Sequence, residues 1–262
     1  MPTADELRAM MPPARVESTE RWIRTEVGGR TVASSTRAML HVAFGPPLLE
    51  DSPQPLLPGY FFPLADVDME TLVPAGEVDG RRWWDLRVDD VEIERAAWAY
   101  TDPPVQLAGL AEHLTFRWEV MDKWYEEAEQ VFVHARDPRK RVDLLASTRH
   151  VQVSLDGLVL ANSHAPFLLF ETDLPTRYYL PPGDVRTDVL VDSPTATACP
   201  YKGVAQYWSL DGAGEVGRDI AWSYRDPIDQ QPGLANLVCF FNEKVDMVVD
   251  GEPLARPTTP WS

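Results

Sequence analysis

Two side chains suited to covalent or proton-transfer chemistry sit three positions apart in Thr197-Ala198-Cys199-Pro200-Tyr201-Lys202-Gly203. Cysteine and lysine both become strong nucleophiles once their ionisation is shifted. An ammonium held across a proline-shaped turn from a thiol favours the thiolate, and desolvation of a lysine favours its neutral amine. Lys202 is one of four lysines beside twenty arginines in a chain of net charge −17, so it is also an obvious anchor for a carboxylate or phosphate. The plainer reading is that Cys199 packs as a small buried residue while the turn closes a loop.

Further candidates surround this turn in sequence. Glu171 and His164 lie near strand ends, where each could serve as a general base. Arg177 precedes the aromatic pair Tyr178-Tyr179, and Ala221-Trp222-Ser223-Tyr224-Arg225-Asp226-Pro227 adds two aromatics and a carboxylate. A pocket walled by Tyr178, Trp208, Trp222 and Tyr224 is expected, with Cys199 and Lys202 near its mouth. Tyr201, Tyr207 and Arg177 would complete the substrate contacts, because small-molecule sites combine aromatic walls with a few polar groups. Cys199, Lys202, Asp226 and Glu171 are the candidate catalytic residues.

The elements that must position these residues occur twice. Ala97-Trp98-Ala99-Tyr100-Thr101-Asp102-Pro103 returns at 221–227, and Trp84, Phe116, Glu119 and Asp122 match Trp208, Phe240, Glu243 and Asp246, all 124 positions apart. A period this long means two copies of a domain. Tyr60-Phe61-Phe62-Pro63 and Tyr178-Tyr179-Leu180-Pro181 are 118 apart, so the second copy gains six residues before Trp208. Cys-Pro-Tyr-Lys-Gly accompanies that insertion and is absent from the first copy. Elements shared by both copies read as scaffold, and what one copy alone carries reads as chemistry.

Short segments rich in Val, Trp, Tyr and Phe, bounded by Gly, Pro or Asp, imply a mainly β protein. Asp156-Gly157 and Gly28-Gly29 mark hairpins, and helical turns are expected near 107–114 and 234–238. The expected organisation is an N-terminal arm over 1–20 with a capping box at Thr3 to Glu6, a first β domain over 21–130 with a proline-rich loop around Gly45 to Pro58, a connector over 131–142, a second β domain over 143–254 and a tail over 255–262.

Acidic residues outnumber basic ones 41 to 24, which argues against nucleic acid and anionic membranes as partners. The chain offers no apolar run of the roughly 20 residues a membrane span needs and no signal-peptide pattern. With only two cysteines, a cytoplasmic protein is expected. The five His are scattered, Cys-x-x-Cys is absent, and neither a P-loop nor a Gly-x-Ser-x-Gly element occurs, so no metal or cofactor is expected.

Thr197-x-Cys199-Pro200-Tyr201-Lys202-Gly203-x-Ala205-x-Tyr207-Trp208, followed by Ala221-Trp222-x-Tyr224-x-Asp226-Pro227, resembles the signature of domain of unknown function 427. His134-x-Arg136-Asp137-Pro138 with Arg141-Val142-Asp143 is similar to the connector of its tandem two-copy members. The resemblance spans about 21–254 and implies small tent-like or barrel-like β domains. It also brings a nucleotidyltransferase-like label, whose metal-binding carboxylates and phosphate loop this sequence lacks. The expected function is cofactor-independent catalysis, of hydrolase, lyase or isomerase type, on a small anionic or carbonyl compound in the second domain. A non-catalytic small-molecule-binding module and a protein-interaction scaffold are the alternatives.

Overall fold

The computed structural model describes residues 14–42, 57–257 and 259. The capping box at Thr3 to Glu6 and most of the proline-rich loop lie outside the described residues. Two compact units divide the chain, with the division between Asp137 and Pro138. The division falls inside the expected connector.

In the first copy an antiparallel seven-stranded sheet runs in the order Arg15–Ser18, Met39–Val42, Gly59–Pro63, His113–Phe116, Val91–Tyr100, Arg81–Val88, Leu72–Val78. A four-stranded sheet runs Arg30–Ser35, Ile23–Val27, Lys123–Glu126, Glu129–Val131. The second copy repeats this order. Its seven strands are Val142–Ala146, Phe167–Glu171, Arg177–Leu180, Val238–Phe240, Ala221–Pro227, Gly203–Leu210 and Leu190–Cys199. Its four are Leu158–Ser163, Val151–Leu155, Asp246–Val249 and Glu252–Leu254. Among the described residues neither sheet closes into a barrel, and the helices are 3-10 turns such as Val105–Leu110 and Pro232–Leu234. No helix among them is long and apolar enough to cross a membrane. Arg15–Ser18 pairs with Met39–Val42, so the first β unit begins within the stretch read as an arm.

Turn chemistry explains the hairpins. Asp156 and Gly157 both take positive φ, at 48° and 82°, as do Gly28 and Gly29. Two successive left-handed residues give the tight turn that matches the twist of paired strands.

Side-chain alternation then divides each copy into two apolar layers. Tyr60 and Phe62 point into the core between the first copy's sheets, while Phe61 joins Trp98, Tyr100, Leu107 and Leu110 on the other face. In the second copy Tyr178 and Leu180 enter the inter-sheet core, while Tyr179 joins Leu169, Trp222, Tyr224 and Cys239 on the other face. That second face carries the candidate chemistry.

Candidate functional site

The six extra residues of the second copy lengthen a hairpin. Leu190–Cys199 and Gly203–Leu210 pair antiparallel up to Cys199 opposite Gly203, and Pro200-Tyr201-Lys202 makes the turn. The Lys202 backbone N–H donates to the Cys199 carbonyl at 3.3 Å, and Ile228 N–H donates to the Lys202 carbonyl at 3.1 Å. Gly203 has φ +109°, and a Cβ there would lie 3.2 Å from the Asp226 carbonyl oxygen and 3.3 Å from the Ile228 nitrogen. The backbones meet too closely for a side chain, which is why glycine follows Lys202.

The turn sends Lys202 inward. Its Nζ lies 2.5 Å from Glu171 Oε2, at the end of Phe167–Glu171, and the two side chains are only 10% and 7% exposed. Burial pulls the Lys202 ammonium down, but the neighbouring Cys199 and the Glu171 carboxylate outweigh it and hold the amine above its ordinary value. Lys202 is therefore a charged, paired ammonium. Cys199, half-buried at the strand end, adjoins it. Burial first, then the Cys199 thiol, pushes the Tyr224 phenol far above its usual range, so Tyr224 remains a neutral hydroxyl.

Deeper on the same face Trp222 Nε1 donates to Tyr179 Oη at 3.1 Å. Tyr207 exchanges a 2.8 Å hydrogen bond with Thr197. Arg177 makes a bidentate pair with Glu243, Nη1–Oε2 2.7 Å and Nη2–Oε1 2.8 Å, and its guanidinium lies 5.5 Å from the Trp222 ring centroid. Cys239 is fully buried, and burial pushes its thiol up to about 12, against the pull of Arg177. It is a packed, unreactive thiol.

Of the residues expected from sequence, Glu171, Arg177, Cys199, Lys202, Tyr207, Trp222 and Tyr224 share this face. Tyr178 and Trp208 do not wall it: both pack against the inter-sheet core, because alternate residues of a strand point to opposite faces. Asp226 is exposed near the end of Ala221–Pro227, and Tyr201 is half-buried in the turn itself. His164 is exposed and stacks on His150 with centroids 4.1 Å apart, in a different part of the copy. Tyr179, Phe241 and Glu243 belong to the site and were not singled out. The alternation that carries Arg177 to this face carries Tyr179 as well, and this was the available signal.

In the first copy the equivalent face is built differently. Fully buried His41 meets Phe61 and Tyr100 edge-on, at 5.6 and 6.4 Å between centroids. The Arg81 guanidinium lies 4.3 Å from the Trp98 ring. Among the described residues neither nitrogen of His41 has a hydrogen-bond partner.

Two open-sheet copies, only the later one bearing the thiol–amine turn, define a tandem β protein whose halves differ at that turn. The chain belongs to the family described as Domain of unknown function (DUF427), which matches it twice, over residues 15–127 and 143–251. Among curated proteins none matches the chain.

Proposed function

We propose that the second copy is a cofactor-independent enzyme acting on a small carbonyl compound, with Cys199 as nucleophile and the Lys202–Glu171 pair as its electrostatic support. The observation that carries this reading is the arrangement of the turn. A half-exposed thiol stands in front of a buried ammonium whose charge is held by a buried carboxylate. A thiolate is the reactive form of cysteine. In the first step the thiolate sulphur forms a bond to the carbonyl carbon, and the C=O π pair moves to oxygen. The neutral Tyr224 hydroxyl is a donor for that developing oxyanion.

Lys202 and Arg177 each already hold a carboxylate, Glu171 and Glu243. This favours a neutral carbonyl substrate over an anion at this site. The same neutralisation favours a second reading, a binding module in which the thiol does no chemistry.

Alkylation of the native protein by iodoacetamide separates the two. Expected is modification at Cys199 alone, slowed in a folded Lys202→Met protein, together with turnover or covalent trapping in a screen of small aldehydes and thioesters that Cys199→Ser abolishes. A Cys199 that alkylates no faster than Cys239, only after unfolding, rules the catalytic reading out.

A further inference from the structure

The two copies differ at one place that leaves a hole. In the second copy Arg177 is cross-strand from Leu169, and with Phe241 it covers Trp222, whose ring lies 4.5 Å from that of Phe241. In the first copy the register puts Gly59 across from His41, where Arg177 stands across from Leu169. Arg117 replaces Phe241 at the next strand end, 124 positions earlier. Its Nε reaches Glu119 Oε1 at 2.9 Å, so the side chain is directed to the rim.

With neither an arginine at 59 nor a phenylalanine at 117, the first copy holds a cavity of about 750 Å³ between Phe61, Trp98, Thr115, Arg117 and Trp118. This volume is that of a small-molecule site. The Trp118 wall is held by stacking on Trp124, with centroids 4.4 Å apart and planes 10° from parallel.

We propose that this cavity is a ligand site of its own, distinct from the Cys199 turn, and that it takes a small aromatic anion. Aromatic walls supply apolar contact for a flat ring and offset or edge-on stacking geometry. The charge preference follows from the guanidinium groups. Arg81 already lies over the Trp98 ring, so a cationic guest on that ring meets a like charge. Among the described residues Arg117 engages Glu119 through Nε alone, which leaves its two terminal amino groups to grip a carboxylate or phosphate as a fork. Glu119 is 69% exposed, so its charge is well solvated and a weak deterrent. Charges farther away than a Debye length of roughly 8 Å are largely screened, whereas Arg117 acts at contact.

The test is isothermal titration calorimetry of the full chain with three probes that share one ring: indole acetate, indole and tryptamine. Expected is one site per chain, with affinity falling in that order. Gly59→Arg restores the side chain that closes the second copy. Nothing lies within 4 Å of a Cβ at Gly59, so the variant is expected to fold, and indole acetate should bind it at least about tenfold more weakly. Arg117→Gln, at the exposed rim, should erase the preference of indole acetate over indole while indole still binds. Cys199→Ser should leave all three titrations unchanged, which keeps this site separate from the proposed chemistry of the second copy. Binding of indole acetate to Gly59→Arg at wild-type strength, or tryptamine binding as tightly as indole acetate, overturns the proposal.

Discussion

Gly59 and Arg177 hold one register position in two copies of the same sheet, the glycine across from His41 and the arginine across from Leu169. One exchange thus accompanies another. Where the arginine fills the face, its neighbour is an aliphatic residue and the guanidinium is neutralised by Glu243. Where the glycine leaves space, the neighbour is a histidine and Arg81 lies over Trp98. Duplication let each copy solve the burial of the same aromatic face with different polar residues.

His41 makes the first copy sensitive to acid. Burial, and after it the nearby Arg81 charge, lowers its pKa from 6.5 to about 4. Tyr100 faces the ring edge-on from Val91–Tyr100 and is itself kept neutral by burial. A depressed histidine binds its proton more readily in the unfolded chain. Stability from this residue is therefore complete above pH 6.5, falls as the pH drops from there to about 4, and changes no further below. The full loss is about 3 kcal/mol. His41→Leu copies the second copy's Leu169. Urea denaturation should show the variant gaining on the wild type between neutral pH and pH ~4.5. Parallel stability–pH curves for the two proteins would exclude this role.

The Lys202–Glu171 pair should behave as a unit. Removing one partner of a buried pair strands the other charge and costs about 3–5 kcal/mol. Lys202→Met and Glu171→Leu are each expected to cost this much, and the double variant far less than their sum, because it leaves an apolar pair of similar volume. A double-mutant cycle by chemical denaturation measures the coupling. Additive single effects would mean that the pair is solvated in solution. The raised lysine also sets the alkaline limit. The stability it adds is fully present below the ordinary lysine range and is lost only as the pH climbs through its higher folded value.

Much of this architecture was legible in the residues. The 124-residue repeat gave two copies, and Asp156-Gly157 and Gly28-Gly29 gave hairpins, because both signals are local. The grouping of Cys199 with Lys202, Glu171, Trp222 and Tyr224 was also accessible, since a duplication leaves the unshared turn conspicuous. Two things were not. Which of Tyr178 and Tyr179 faces the site depends on strand phase, and two adjacent tyrosines carry no phase of their own. That Glu171 would neutralise Lys202 depends on a side-chain contact between a strand end and a turn 31 residues apart, so a lysine that looked like an open anion site is a closed one. The cavity beside Gly59 was hidden for a related reason, since it depends on which faces Phe61, Trp98 and Trp118 turn toward one another.

Gly203 offers the sharpest test of how the turn positions the thiol. Its φ of +109° lies in a region where side chains are strained, and a Cβ would meet only backbone atoms, of Asp226, Pro227 and Ile228. Backbone cannot move aside as a flexible side chain can. Gly203→Ala is therefore expected to cost about 2 kcal/mol or more, from strain and from the shifted hairpin. The displacement would also alter the Cys199–Lys202 approach, because Gly203 is the cross-strand partner of Cys199. Two measurements on one variant distinguish the consequences. Thermal melting reports the strain, and native-state iodoacetamide alkylation reports the thiol. If Gly203→Ala lowers the melting temperature while Cys199 alkylates at the wild-type rate, the turn supports the fold without tuning the thiol. A parallel loss in both ties the reactivity of Cys199 to the same close backbone crossing that demands glycine.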